Sequence, residues 1–367
     1  MSEVRYKFFI VPIDVDGRQT GRPVELVESV FAPAIDWTNL DGIRKNVLPP
    51  LTAPSGFTLV PRWSETLCAP VVDGFDVQIL GEDSTVAFSG TIPLMYFEQH
   101  VKSFTRSNNG STAQGVSLFR IHAVREDSGV CDRADSTFTV EKIKRPLDIR
   151  YTSFDNLLHA STCSSGTHQE SSSGSDFPVF ITEETIDKAV QVSKNSGKTE
   201  SGGILVGYLC RDSHSDHASD IFAVITAQIH APVENEDARE TSIRFTPATW
   251  SHLRGALRDR NKEEMILSWY HSHPFLKSIC GDVTECKDAT CTRSVFFSNA
   301  DVQFHRIAFS SAYSTALVIG DAPCSGVSYG LYGWRWGMVV KRDFYILRKS
   351  ASEMNRLFHQ EGNNASE

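Results

Sequence analysis

Apolar and polar positions follow two different rhythms in this chain, and the change falls near its middle. In the first half, short apolar runs at 6–13, 75–80, 86–92 and 116–124 are broken by Gly, Pro, Asp and Asn. That pattern predicts strands joined by turns. Asn108, Asn109 and Gly110 predict a loop tip, and 138–143 a last strand before Pro146. From 161 to 176, Ser, Gly, Thr and His replace nearly all large apolar residues, which predicts a linker. Beyond it, helical and strand periods alternate. A strand is predicted at 177–181, then a helix from Glu183 to about Lys194 with Thr182 as cap and acidic residues in its first turn. Strands at 204–209 and 221–229, separated by a polar loop, predict a hairpin. Pro247 suits a first helical position, and Trp250, Leu253, Ala256 and Leu257 repeat at helical spacing. A buried strand at 265–270 runs into His271. A helix at about 299–310 follows, then strands at 315–319, 331–336 and 339–347. No internal repeat is present.

These elements predict a β-rich domain over 1–150, a Ser/Gly-rich linker over 151–176, an α/β (α+β) domain over 177–350 with an insertion at 275–297, and a polar tail at 351–367. A length of 367 residues agrees with two domains. With 40% hydrophobic and 22% charged residues, either half has the material for a packed core. A formal net charge of -9 argues against a phosphate-neutralising surface, so no nucleic-acid partner is expected. No stretch approaches the roughly 20 apolar residues of a membrane span. The run at 8–12 leads into Asp14, Asp16 and Arg18 and does not read as a signal peptide, which predicts a cytoplasmic protein. Eight cysteines are too sparse for a disulfide scaffold, whereas the local group Cys280, Cys286 and Cys291 suggests metal.

The chemistry-bearing residues gather around His271-Ser272-His273-Pro274. Residues i and i+2 of an extended segment face the same side, so both imidazoles can reach one ion while Ser272 faces away. In isolation the same string also suits a surface His pair in a turn. Downstream, Ser298-Asn299-Ala300-Asp301 opens a helix and can aim the Asp301 carboxylate at the pair. Two His and one carboxylate leave a fourth tetrahedral position for water, the arrangement of a catalytic zinc. Upstream, Glu200 precedes the Gly-rich apolar run Ser201-Gly202-Gly203-Ile204-Leu205-Val206-Gly207, at the edge of a buried strand, where it can serve as a general base.

A Glu before a Gly-rich apolar strand, then His-Ser-His-Pro, then Ser-x-x-Asp resembles the JAMM motif of the Mov34/MPN (JAB) zinc metalloproteases, over about residues 177–347. The segments Phe296-Phe297-Ser298, His305-Arg306 and Leu331-Tyr332-Gly333-Trp334-Arg335 look most like the bacterial, deubiquitinase-like branch. The resemblance implies an MPN/JAB fold, cytidine-deaminase-like, with a mixed sheet flanked by helices. It implies zinc on His271, His273 and Asp301, Glu200 as general base towards a water, and Ser298 as hydrogen-bond donor to the developing oxyanion. It further implies that the substrate is a ubiquitin-like protein, matured or removed from a conjugate, and that ubiquitin-like activating and conjugating enzymes are partners. The connection from His273 to Ser298 is longer than the family's, which brings Asp282 and Asp288 forward as competitors of Asp301.

Within that connection, Cys280, Cys286 and Cys291 suit a second, structural zinc with Cys324 or His305 as fourth ligand; the alternative is free thiols. His305 lies four residues beyond Asp301, so contact with the ligand shell is the other reading of it. His214 and His217 read as solvated loop residues, and 234–240 as a solvated acidic loop. The aromatic residues Trp269, Tyr270, Trp334 and Trp336 read as packing. In the first half His100 and His122, and Cys68 and Cys131, are far apart in sequence, which suits a recognition module or a packing or dimerisation module rather than a second enzyme. Competing functions are a non-catalytic MPN scaffold and a small-substrate zinc hydrolase. A zinc deaminase is disfavoured because His-x-Glu and Pro-Cys-x-x-Cys are both missing.

Overall fold

The computed structural model describes residues 6–67, 70–98, 100–101, 118–125, 145–164, 176–197, 199–212, 221–231, 245–273, 295–322, 326–349 and 353–354. The chain divides between Leu147 and Asp148 into two units, with Trp336–Met338 grouped with the first.

The first unit carries β1 (Tyr6–Ile13), β2 (Val24–Glu25), β3 (Gly56–Trp63), β4 (Val71–Leu80), β5 (Val86–Pro93) and β6 (Leu118–Arg125). They form an antiparallel sheet in the order β2-β1-β6-β4-β3, with β5 also paired to β4. An aromatic core of Phe8, Phe31, Phe75, Tyr96 and Phe97 has ring centroids 5.2–6.2 Å apart. The half is not built of strands alone. Helix α1 (Ala32–Arg44) buries Ile35, Trp37, Leu40 and Ile43 and packs on β4 and β5. Pro33, Asp36, Asn39, Asp41 and Gly42 break up its apolar spacing and read as turn formers, which hid it in the sequence. A cavity of about 450 Å³ lies between β1, β3 and Leu26–Phe31, floored by Phe8, Phe31, Phe57 and Leu59. The predicted strand at 138–143 and loop tip at 108–110 lie outside the described residues, as do Cys68 and Cys131.

The second unit is a mixed ten-stranded sheet. Its strands are β7 (Ile149–Tyr151), β8 (Ser161–Cys163), β9 (Val179–Thr182), β10 (Gly202–Arg211), β11 (Ile221–His230), β12 (Met265–Ser272), β13 (Thr315–Ala322), β14 (Gly326–Arg335), β15 (Met338–Arg342) and β16 (Tyr345–Leu347). The order is β15-β14-β13-β12-β10-β11-β9-β16-β8, and β7 continues the ladder of β10 beyond β12. Central β10 is buried along all but its last residue, as a strand covered on both faces must be. Its Gly-rich sequence has a steric cause. A Cβ on Gly203 would stand 2.1 Å from the Ile229 carbonyl oxygen, and one on Gly207 2.0 Å from that of Val224. Both glycines let β10 and β11 approach at closest range, and the pair forms the predicted hairpin. Helix α3 (Glu183–Ser196) follows Thr182 as predicted, and α4 (Pro247–Arg260) starts on Pro247 with the Thr246 hydroxyl accepting from the Thr249 N–H at 3.1 Å.

Two expectations need correction. The linker predicted over 151–176 begins too early, because 149–163 is woven into the second unit. There β7 pairs parallel to β10, β8 pairs antiparallel to β16, and helix α2 (Phe154–His159) sets Phe154 and Leu157 against Phe180 and Phe222. Two large apolar residues are too few to register as a period, and edge pairing through backbone groups leaves no mark on a string such as Ser-Thr-Cys. Residues 165–175 lie outside the described part. The single strand predicted at 339–347 is two strands: β15 pairs at one side of the sheet, while β16 joins β9 and β8 at the other. The unit is mixed α/β with sheet dominant. Among the described residues no helix is long and apolar enough to cross a membrane.

Candidate metal centre

Strand β12 lies between antiparallel β10 and parallel β13, so its backbone is paired on both edges and its side chains alternate between two buried faces. Trp269 and His271 share one face, Tyr270 and Ser272 the other. His271 stands opposite Gly202 and is 1% exposed. His273, just past the strand, stays extended because its N–H donates to the Ile319 carbonyl at 2.8 Å, and it is 5% exposed. The exposed Phe296 ring stacks on it with centroids 4.2 Å apart.

The carboxylate comes from helix α5 (Asn299–Ala308), which opens on a reciprocal cap. The Ser298 hydroxyl oxygen accepts from the Asp301 N–H at 3.2 Å, and the Ser298 N–H donates to Asp301 Oδ2 at 2.7 Å. This pair satisfies two donors of the helix start and fixes the Asp301 side chain in the same stroke. His271, His273 and Asp301 each offer a ligand atom within 4.8 Å of the others. His271 Nε2 lies 3.7 Å from Asp301 Oδ2. The contact is not an ion pair, because burial pushes the His271 pKa down to about 4, against the pull of Asp301 and aided by His273. A neutral imidazole with an available lone pair is the form that binds metal.

One observation singles out this cluster. Both ring nitrogens of His271 are buried and have no hydrogen-bond partner among the described residues. Leaving a buried donor or acceptor unmatched costs about 1–3 kcal/mol each, and such groups call for a ligand or ion to explain them. Two imidazoles and a carboxylate are the donor set of an open zinc site, and an ion there would satisfy one of the two orphaned nitrogens. The donors therefore fit the group.

Glu200 is half-buried and stands outside the three-residue cluster. Gly202 pairs with His271, and Ser272 N–H donates to the Ser201 carbonyl at 2.7 Å, which leaves Glu200 as the residue just beyond that pairing. Sequence reasoning missed what holds it there. Ser272, facing away from the His pair, accepts from the Ser201 N–H at 3.0 Å, and the two hydroxyls meet at 2.9 Å, all fully buried.

His305 is a core residue with its Nε2 buried and unmatched among the described residues, and the cysteines that it was expected to join lie outside them. It is 0% exposed, its Nδ1 accepts from the Trp269 indole N–H at 3.0 Å, and burial lowers its pKa to about 3. Trp269, Tyr270 and Trp334 are buried as expected. Tyr332 donates to the Val295 carbonyl at 2.8 Å and stacks on Phe297, pinning the approach to Ser298. Cys280, Cys286, Cys291, Asp282, Asp288, Cys324, His214, His217 and the acidic loop 234–240 lie outside the described residues. Among the described ones, Cys163 and Cys210 are thiols outside any disulfide.

No family model matches the sequence, and no curated protein matches it. Among solved structures the chain is similar to the solution structure of protein DSY2949 from Desulfitobacterium hafniense, at 13% identity over 47% of this chain and 94% of that one, with a TM-score of 0.31.

Proposed function

We propose that the second unit is a zinc-dependent isopeptidase or peptidase of the JAMM/MPN type, acting on a ubiquitin-like protein or its conjugates. The observation that carries this reading is the buried His271 imidazole with both nitrogens unmatched, within ligand distance of His273 and Asp301. The Glu-(Gly-rich strand)-His-x-His-Ser-x-x-Asp order supports it, and so does the capping of Asp301 by Ser298.

When bound, zinc supplies Lewis acidity towards the scissile carbonyl and an acidified water, with a pKa near 7. Glu200 accepts the proton of the attacking water and later delivers it to the departing amine, so that the C–N bond gives way to a carboxylate and an amine. Ser298 has its oxygen engaged as an acceptor by Asp301 N–H, which leaves its own proton to donate to the oxygen where negative charge grows. For a conjugate the departing amine is a Lys side chain; for a precursor it is the following residue's backbone nitrogen.

The test combines metal analysis with cleavage of ubiquitin-like fusions. We expect zinc in the purified chain, its loss in His271→Ala, His273→Ala and Asp301→Ala, and its retention in Glu200→Gln with turnover reduced about 10²–10⁴-fold. A chain without zinc that binds partners all the same is an MPN-type scaffold, and the enzymatic reading is then wrong. Cleavage of small amides but of no fusion gives a small-substrate hydrolase instead. Zinc retained in Asp301→Ala but lost in Asp282→Ala transfers the third ligand to the insertion.

A further inference from the structure

A histidine that binds metal through one nitrogen usually donates its other N–H to a carboxylate or carbonyl, which sets the plane of the ring. His271 has no such partner among the described residues. Its Nε2 faces Asp301, and Nδ1 is left without an acceptor. Among the described residues, what holds this ring is packing rather than a hydrogen bond to it.

Trp269, two residues earlier on the same strand face, lies against it with centroids 4.9 Å apart and planes at 18°. The indole is itself locked. Its N–H donates to His305 Nδ1 at 3.0 Å, and because an indole nitrogen only donates, His305 must be neutral with its lone pair on Nδ1. His305 is in turn boxed in by Phe309 and Trp334, with centroids 6.1 and 5.3 Å away.

The arrangement has a geometric basis. Two strand residues rise about 6.6–6.8 Å, and four helix residues about 6 Å. Strand positions 269 and 271 therefore match helix positions 305 and 301, and β12 and α5 are joined by two rungs: Trp269 to His305, and His271 to Asp301. The first rung is a hydrogen bond that sets the helix against the strand; the second holds the ligands.

We infer that Trp269 and His305 are positioning residues for the metal centre, fixing the ring plane of His271 by stacking and the register of Asp301 by their shared hydrogen bond. This rests on the zinc reading above. Neither residue touches the ion or the substrate; both act through the ligands.

The experiment measures zinc affinity of the full chain against a competing chromophoric chelator, for the unmodified protein, Trp269→Phe, His305→Leu and His305→Asn. Loss of an outer partner of a metal ligand typically weakens binding about 10–100-fold, and that loss is expected in Trp269→Phe and His305→Leu. His305→Asn returns an oxygen acceptor close to the former Nδ1 position and should bind within about threefold of the unmodified chain, on the same scale of outer-shell effects. Zinc should also change the tryptophan emission of the unmodified chain, and the change should persist in His305→Asn but be altered in His305→Leu, which leaves Trp269 in place and removes only its hydrogen-bond partner. Unchanged affinity in both disrupting variants overturns the inference, as does an Asn variant as weak as the Leu variant. If His305→Leu fails to fold, Trp269→Phe decides alone: equal affinity refutes. An unmodified chain that takes up no zinc sinks the metal reading itself, an outcome distinct from zinc bound equally by every variant.

Discussion

Acidification should weaken the metal-free second unit by an amount that two named histidines set. In the unfolded chain His271 and His305 gain a proton below about pH 6.5, but in the folded chain burial delays this to about pH 4 and about pH 3. Between those limits the unfolded state binds more protons, so stability falls as the pH falls from about 7 towards 4. At pH 5 the difference is about 1.5 pH units below the unfolded pKa, or about 2 kcal/mol per histidine and about 4 for the two. That is a large share of the roughly 5–15 kcal/mol that holds a domain together. His230, whose pKa is also lowered by burial, acts in the same direction. The perturbation is His305→Asn, which keeps an acceptor for the Trp269 indole and removes one titrating group. Urea unfolding followed by tryptophan fluorescence, in chelator, at pH 7 and pH 5, should show the variant losing about 2 kcal/mol less than the unmodified chain across that interval. Carboxylates and the other histidines contribute alike to both proteins and cancel. Equal losses would refute the claim that His305 stays neutral in the folded state.

Glycine substitutions should have opposite signs at two positions. Gly203→Ala forces a Cβ to 2.1 Å from a backbone oxygen that cannot step aside, and should lower stability by at least about 1–3 kcal/mol, whereas Gly255→Ala, in α4 with nothing within 4 Å of the added carbon, should raise it by about 0.4–1 kcal/mol. Chemical denaturation checks both, and a Gly203→Ala variant as stable as the unmodified chain would remove the steric explanation of the Gly-rich strand. Joint replacement of Cys280, Cys286 and Cys291 should lower zinc from two ions per chain towards one; a single ion in the unmodified chain would leave the three thiols without a metal and the catalytic centre unaffected.

What the sequence disclosed and what it concealed follow the same physical line. Elements whose apolar residues face a core announce themselves by period: β10, β11, β12 and α3 were legible to within a few residues, and the apolar run ending at His271 placed the ligands at the mouth of a buried strand. Ser298 and Asp301 were legible as a helix start because capping is local chemistry between residues three apart. Features made by backbone pairing across long separations left no such trace. The short strands β7, β8 and β16 are held by ladders to residues far along the chain, and their own side chains are mostly half-exposed. Of the Trp269–His305 rung the sequence disclosed one half: His305, at i+4 from Asp301, read as a contact of the ligand shell, whereas Trp269, at i-2 from His271, read as packing because an aromatic residue on a buried strand needs no further reason.

The connection between His273 and Ser298 is long, and its length costs the site little under the proposed reading. Closing a loop costs only about 0.6 kcal/mol more for each doubling of its length, provided that both ends are anchored independently of what lies between. Here they are. At one end the His273 N–H is tied to the Ile319 carbonyl of the neighbouring strand; at the other, Val295 is buried with its carbonyl held by Tyr332, Phe297 stacks on the same tyrosine, and Ser298 is locked to Asp301. Among the described residues, β12 and α5 meet at Trp269–His305 and at His271–Asp301. Ends anchored in this way accept a connection of very different length between them, and Cys280, Cys286 and Cys291 fall within it.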